Sequence, residues 1–249
     1  MIVQNGKVVD KIVRNGQEIY VVVWNGKIIH VSRVESGLAQ MNLANSSENT
    51  PALFKDLRGV NDGIIENAVF DNGALIFNGV NSIVEYNGII TPQYTLMGTM
   101  AIEHDATLNT ARNPRFIDGT NNTYPGLYYR NPQAVPADRD FAYSLWAHGK
   151  DQALTNPRTS PPDGELVHIA YFWTGTYFQL YINGVFRTQI AATVAPASRS
   201  KNWLGGSKTT ADRYLKGKIC SFMRYDRVIT PAEIMQNYIV DKFEFKINS

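Results

Sequence analysis

Glu103 with Asp105, and Asp138 with Asp140, are the residue pairs in this chain whose type and spacing come nearest to acid/base chemistry. Cleaving a glycosidic bond with retention needs two carboxyl groups about 5–5.5 Å apart. Residues two apart on a strand share a face but lie roughly 6.5–7 Å apart along it. The first pair closes an alternating run beside His104, and the second sits in a loop with a proline. Both read as solvated strand ends, and catalysis is not expected.

Metal and cofactor chemistry is scarcely better supplied. Calcium asks for six to eight oxygen ligands. Asp118 in "IDGTNN" and Asp138 and Asp140 in "ADRD" are loop carboxylates of the right kind, but no run has EF-hand spacing. One cysteine and scattered histidines argue against zinc. Gly205-Gly206 lacks the strand–glycine–helix setting of a phosphate or dinucleotide site. No cofactor is expected, with calcium the one ion left open.

Binding is the chemistry the residues favour. Sugars are held by aromatic faces with planar amides or charged groups nearby, and Tyr124, Tyr128, Tyr129, Trp146, Trp173, Tyr177, Trp203 and Tyr214 fall close to predicted loops. Core packing claims part of this set. "TNNTYPG" (120–126) and "NWLGGSKTTADRY" (202–214) are polar enough to stay exposed. Tyr124 and Tyr214 are therefore the expected ligand-binding aromatics, with Arg130, Asp212 and Arg213 as polar partners.

The elements that must position these residues are strands. Short alternating runs recur between turn signals: "GALIFNGVNSIVEY", "YTLMGTMAIEH", "PRFIDGTNNTYPGLYYRN", "DFAYSLWAHG" and "ELVHIAYFWTGTYFQLYINGVFRTQI". The one convincing helix is 230–239, where Thr230 caps, Pro231 suits the first position and Glu233 completes a capping box. Many strands with one late helix predict an all-β sandwich or jelly roll. In "LVHIAYFW" apolar residues point both ways, so this strand should be central and covered on both faces. His168 is then a structural histidine with its hydrogen bonds satisfied rather than a base.

Before the sandwich, Asn5-Gly6, Asn15-Gly16 and Asn25-Gly26 recur every ten residues. Asn-Gly is the pair that best tolerates a two-residue type I′ turn. The runs between them predict a small β-meander over residues 1–35, with Val13, Val21 and Val23 on one face. So few strands bury little, and a docking or oligomerisation role is expected. Residues 36–54, crowded with Ser, Asn, Thr and Pro, are expected as a linker.

Composition excludes several classes. A net charge of +2 is too small for a phosphate-tracking surface. Cys220, the single cysteine, rules out an internal disulfide framework and is expected to be a buried small hydrophobe. No run approaches the roughly 18 apolar residues of a membrane span, and the N-terminus lacks the apolar core of a secretory signal.

Three motifs carry a resemblance over about residues 55–245. "ALIFNGVNSIVEY" before "YTLMGTMAIEH" resembles the opening of the laminin-G-like, concanavalin A-like jelly rolls. "LVHIAYFWTGTYFQLYINGVF" is similar to that family's W-x-H-V-A … L-Y-V-N-G hairpin, with Leu166 in place of the usual tryptophan. "YLKGKICSFMRYDRVITPAEIMQNY" resembles its closing motif, with Cys220 or Ser221 where an acidic residue is common. The resemblance implies a concanavalin A-like jelly roll over 55–249, a fold shared by lectins, binding modules and glycosidases. The Glu-x-Asp-x-x-Glu type strand of the family's hydrolases is not found here. The repeated Asn-Gly runs resemble those at the start of bacteriophage structural proteins.

These readings converge on a non-enzymatic virion protein: a head fibre, decoration or tail-associated protein displaying a carbohydrate-binding jelly roll. Its expected partners are other virion proteins through the N-terminal segment and a host-surface glycan, in a homo-oligomer, without nucleic acid or membrane insertion. A purely structural virion protein is the alternative, and a glycosidase or lyase the less favoured one.

Overall fold

The strands that flank each Asn-Gly pair are paired with one another. In the computed structural model β1 (Ile2–Gln4) pairs with β2 (Lys7–Val9), β3 (Ile12–Arg14) with β4 (Gln17–Ile19), and β5 (Val21–Trp24) with β6 (Lys27–Val31). Gln4 faces Lys7, Arg14 faces Gln17 and Trp24 faces Lys27, so every loop has the two residues that the turn chemistry demands. Among the described residues the three hairpins remain separate two-stranded sheets, which corrects the continuous meander. A tight turn closes three or four local pairs at little loop-entropy cost, whereas nothing fixes the register of the next pair. The shared face expected for Val13, Val21 and Val23 lies outside the described side chains.

The structure describes residues 2–4, 7–9, 12–14, 17–19, 21–24, 27–88, 93–103, 115–119, 126–130, 142–147, 150–153, 164–191, 200–209 and 213–247. Side chains are described over 32–88, 93–103, 116–117, 164–189, 191, 200–209 and 213–247.

The sandwich begins earlier than expected. Its strands are β7 (Leu38–Leu43), β8 (Leu53–Phe54), β9 (Gly63–Glu66), β10 (Val69–Asp71), β11 (Ala74–Asn78), β12 (Ile83–Asn87), β13 (Thr95–Ile102), β14 (Arg115–Gly119) and β15 (Gly126–Arg130). Then come β16 (Ala142–Ala147), β17 (Lys150–Ala153), β18 (Val167–Trp173), β19 (Tyr177–Ile182), β20 (Val185–Ala191), β21 (Lys201–Leu204), β22 (Lys216–Ile219), β23 (Ser221–Tyr225) and the helix α1 (Pro231–Phe245). Strands β7 and β8 fall within 36–54, the expected linker. Leu38–Leu43 pairs along β23, so this stretch is part of the sandwich. Its alternating buried and half-buried residues are what a strand on a sheet requires, and the nearby polar cluster masked that pattern.

Two antiparallel sheets face each other. The nine-stranded sheet runs β10-β11-β22-β13-β18-β19-β20, with β23 pairing both β13 and β7. The eight-stranded sheet runs β17-β16-β15-β14-β21-β12-β9-β8. The chain changes sheets at Asn78-Gly79, since β11 and β12 lie on opposite sides of the core. Leu75, Phe77, Leu96, Met100, Ile169, Tyr171 and Phe222 meet Phe54, Val84, Phe116 and Leu204 between the sheets. Burying an aromatic or large aliphatic side chain contributes about 1.5–3 kcal/mol, so this layer holds the fold.

Strand β22 must approach β13 closely. Gly217 has φ +141°, and a Cβ there would overlap the carbonyl oxygen of Ala101. Ile219 and Phe222 both enter the central core. They are three apart, so strand alternation slips by one residue at Cys220, a bulge between β22 and β23.

Helix α1 covers the outer face of the nine-stranded sheet. Its N-terminus is the expected capping box: Thr230 Oγ1 accepts from Glu233 N, and Thr230 N donates to Glu233 Oε2. The helix runs to Phe245, beyond the expected end at 239. Its last turns are fixed by a strap, residues 32–34. Arg33 forms ion pairs with Asp241 and Glu244, Val34 N donates to Asn237 Oδ1 at 3.0 Å, and Gln236 Nε2 donates to Ser32 O at 2.8 Å. Asp241, fully buried, also accepts from Thr99 Oγ1 at 2.5 Å and Ser221 Oγ at 2.7 Å. Burial opposes its charge, but Arg33 and the Thr99 hydroxyl hold its carboxyl below the usual range.

His168 lies in this layer on β18, which is central and buried along its whole length, as expected. The histidine is not satisfied, however. Its backbone N donates to Asn183 Oδ1, but among the described residues neither ring nitrogen has a hydrogen-bond partner. The Tyr238 ring packs 6.0 Å away and offers it no acceptor. Sequence alternation shows that the position is buried, not what lies above it.

Candidate functional site

Alternation on β12 sends Val84 and Tyr86 into the core and Glu85 to the outer face of the eight-stranded sheet. Register places Trp203 directly opposite Glu85, and Asp118 of β14 on the other side of Trp203. On β9, Ile64 pairs with Glu85. Glu85 and Trp203 therefore share this face.

Glu85 is the centre of a polar cluster there. Trp203 Nε1 donates to Glu85 Oε2 at 3.1 Å, Lys208 Nζ to the same oxygen at 3.0 Å, and Lys201 Nζ lies 3.1 Å from Oε1. Lys208 also donates to Glu66 Oε1 at 2.6 Å. Partial burial raises the Glu85 carboxyl, but the hydrogen bonds from Lys208, Trp203 and Lys201 outweigh it and hold the group at about 2. It is thus a fixed anion, suited to accepting hydrogen bonds and unsuited to delivering a proton. Each described carboxyl with a displaced titration (Asp62, Glu85, Glu233 and Asp241) is displaced downward.

Tyr214 joins this face. A Cβ on Gly206 would meet Tyr214 Cδ1 at 2.7 Å and Ile83 Cγ2 at 2.8 Å, so the ring lies against the Gly206 backbone beside Ile83. Ile83 is two residues from Glu85 on the same strand face. Arg213 is half-buried next to it. The backbone of Arg130 ends β15, two strands from β21 across β14, or roughly 10 Å away at strand spacing. Tyr124 and Asp212 lie outside the described residues, as do Asp105, Asp138 and Asp140. Glu103 is exposed just past β13. Among the described residues no group of three His, Cys, Asp or Glu side chains could hold a metal ion.

Sequence reasoning missed Glu85, Glu66, Lys201 and Lys208. The available signal was Glu85 itself, the one charged residue in "IVEYN". Trp203 was singled out, but it is only 4% exposed and presents its N–H rather than an open ring face. Trp173 is buried as well, while Tyr177 is 39% exposed at the end of β19.

With this geometry established, the family model of the concanavalin A-like lectin/glucanases superfamily, of laminin-G type, matches residues 98–235, more than half of the chain. The chain belongs to this superfamily. Among solved structures, this concanavalin A-like chain is similar to Trypanosoma rangeli sialidase, at 16% identity and a TM-score of 0.64, covering 92% of this chain and 36% of that one. It is also similar to domain 4 of AbnA, a GH43 extracellular arabinanase from Geobacillus stearothermophilus in complex with arabinotriose. There the identity is 18% and the TM-score 0.62, covering 81% of this chain and 98% of that domain. The receptor-binding domain of botulinum neurotoxin D matches at 12% identity and a TM-score of 0.62, over 82% of this chain and 53% of that one. At these identities the likeness is one of fold. The chain spans about a third of the length of the sialidases it matches. No curated protein matches it in sequence.

Proposed function

We propose that this chain is a non-enzymatic, carbohydrate-binding virion protein of a bacteriophage. In this reading the concanavalin A-like sandwich contacts a host-surface glycan and the N-terminal hairpins dock to other virion proteins or to further copies. The observation that carries the binding role is the fixed Glu85 anion, held by Trp203, Lys201 and Lys208 on the outer face of the eight-stranded sheet beside Tyr214. A rigid carboxylate ringed by donors suits sugar hydroxyls, which both donate and accept. The arabinanase domain bound to arabinotriose, a fold of similar extent, supports this reading by analogy. Separate two-stranded hairpins are too small to be stable alone, which supports a docking role for them. Display in several copies turns weak sugar contacts into avidity.

Low exposure at Trp203 and Trp173 favours a second reading, a virion protein that stabilises the particle and has no ligand. A glycan array with the full chain, run with calcium and with chelator, separates the two. Binding that falls about tenfold in Glu85→Gln, the loss of a charge-assisted hydrogen-bond centre, supports the adhesive role. Binding untouched by that substitution moves the site elsewhere, and silence across the array favours the structural protein.

A further inference from the structure

A cleft of about 360 Å³ opens on the other side of the sandwich, on the outer face of the nine-stranded sheet. It lies where the C-terminal end of α1 stops beside the β10–β11 turn. Asn45, Asn72, Lys218, Glu244, Phe245 and Lys246 form its walls. Its volume falls in the range of small-molecule sites, which pair apolar surface with a few placed polar groups.

The charges in the cleft do not cancel. Glu244 is committed, with one oxygen bound to Arg33 and the other accepting from Asn45 Nδ2 at 2.9 Å. Arg33 is shared with Asp241. Among the described residues Lys218 and Lys246 have no carboxylate within ion-pair distance. Among the residues lining the cleft, two ammonium groups, Lys218 and Lys246, therefore meet one carboxylate, Glu244, leaving one positive charge over.

Two acceptors remain open at the rim. One N–H of the Asn45 amide goes to Glu244 and one of the Asn72 amide to Asp71 Oδ1 at 3.0 Å, while among the described residues neither amide's carbonyl oxygen accepts a hydrogen bond. Asn72 is held in position by the left-handed backbone of its turn, φ +46°. Phe245 and Leu166, both half-buried, supply apolar wall. At the base, burial pushes the Cys220 thiol up to about 12, so it stays neutral and adds no competing anion.

We infer that this cleft is a second ligand site, selective for a sugar residue bearing one carboxylate. The carboxylate pairs with the ammonium groups of Lys218 and Lys246, hydroxyls donate to the Asn45 and Asn72 carbonyl oxygens, and an apolar ring face covers Phe245. A single negative charge matches the single excess cation. A neutral sugar leaves that cation uncompensated. Inorganic phosphate overshoots the charge and has no ring to set on Phe245. The inference does not rest on the Glu85 face, which lies on the opposite side of the sandwich.

The test titrates the full chain with glucuronate, glucose and inorganic phosphate, following the backbone amide resonances of Lys218 and Phe245. Glucuronate should bind in the millimolar range, with glucose and phosphate at least about tenfold weaker. The double variant Lys218→Gln/Lys246→Gln should lose that preference while keeping its melting temperature, because both ammonium groups lack a carboxylate partner in the protein. Equal binding of glucuronate and glucose, phosphate binding as tightly as glucuronate, insensitivity to the lysine substitutions, or no resonance shift at all would each overturn the assignment.

Discussion

His168 makes folding stability depend on pH in a window that few other groups reach. Burial pushes the imidazole down to about 4 from an ordinary value of 6.5. Asp241 pulls upward and Arg33 downward, and Tyr238 of α1 packs beside it without supplying an acceptor. Between those values the unfolded chain holds a proton that the folded chain refuses, so stability falls as pH drops from 6.5 toward 4. The full interval is worth roughly 3 kcal/mol at about 1.4 kcal/mol per pH unit, of which about 2 kcal/mol is lost by about pH 5. Glu85 and Glu233, both held at about 2, lose their contributions only as pH falls toward and below their unfolded values near 4.5, which is below the about pH 5 used in the assay. The assay is urea unfolding of the wild type and His168→Leu at neutral pH and at about pH 5. The wild type should lose about 2 kcal/mol more than the variant between the two conditions. Subtracting the variant removes the other three histidines, which it shares. Parallel losses in the two proteins, or a wild type that gains on the variant in acid, would refute the reasoning. The second outcome would mean that Asp241 stabilises an imidazolium.

Arg33→Met should destabilise the protein by about 3–5 kcal/mol in chemical denaturation, because it strands the fully buried Asp241 carboxylate. Gly217→Ala should cost about 2 kcal/mol or more, since the new methyl group meets the Ala101 carbonyl and the backbone sits at φ +141°; an unchanged midpoint would mean that β22 yields. Deleting residues 1–31 should leave a folded sandwich by circular dichroism. Deleting 1–54 should not, because it removes Arg33, Val34 and β7 along with the hairpins. A 55–249 fragment that melts like the full chain would place the strap and β7 outside the cooperative unit.

The jelly roll was legible in the sequence because strand alternation and Asn-Gly turns are local signals. The Thr230–Glu233 capping box was legible for the same reason. What escaped depended on partners distant in the chain. Nothing near "DKFEF" announces that α1 continues, since Arg33, some 200 residues earlier, completes its last turns. Glu85 looks like any strand carboxylate until register sets Trp203 across from it and Lys208 folds over. Tyr214 could be chosen from exposure and residue type, whereas the cleft beside Lys218 and Lys246 brings together three segments that share no local pattern. His168 was placed correctly as a buried group, but whether a buried polar atom finds a partner is a property of the layer above it.

The strap at residues 32–34 also has a mechanical meaning. If the hairpins are fixed to a particle while the sandwich grips a surface, tension enters the domain at Ser32. The first bonds loaded are then the Gln236–Ser32 hydrogen bond, the Arg33 ion pairs and the Val34–Asn237 hydrogen bond, which grip the helix, rather than the β7–β23 ladder behind them. In that arrangement Arg33 carries the load into the helix and, through Asp241, into β13 and β23 before the β7–β23 ladder is pulled.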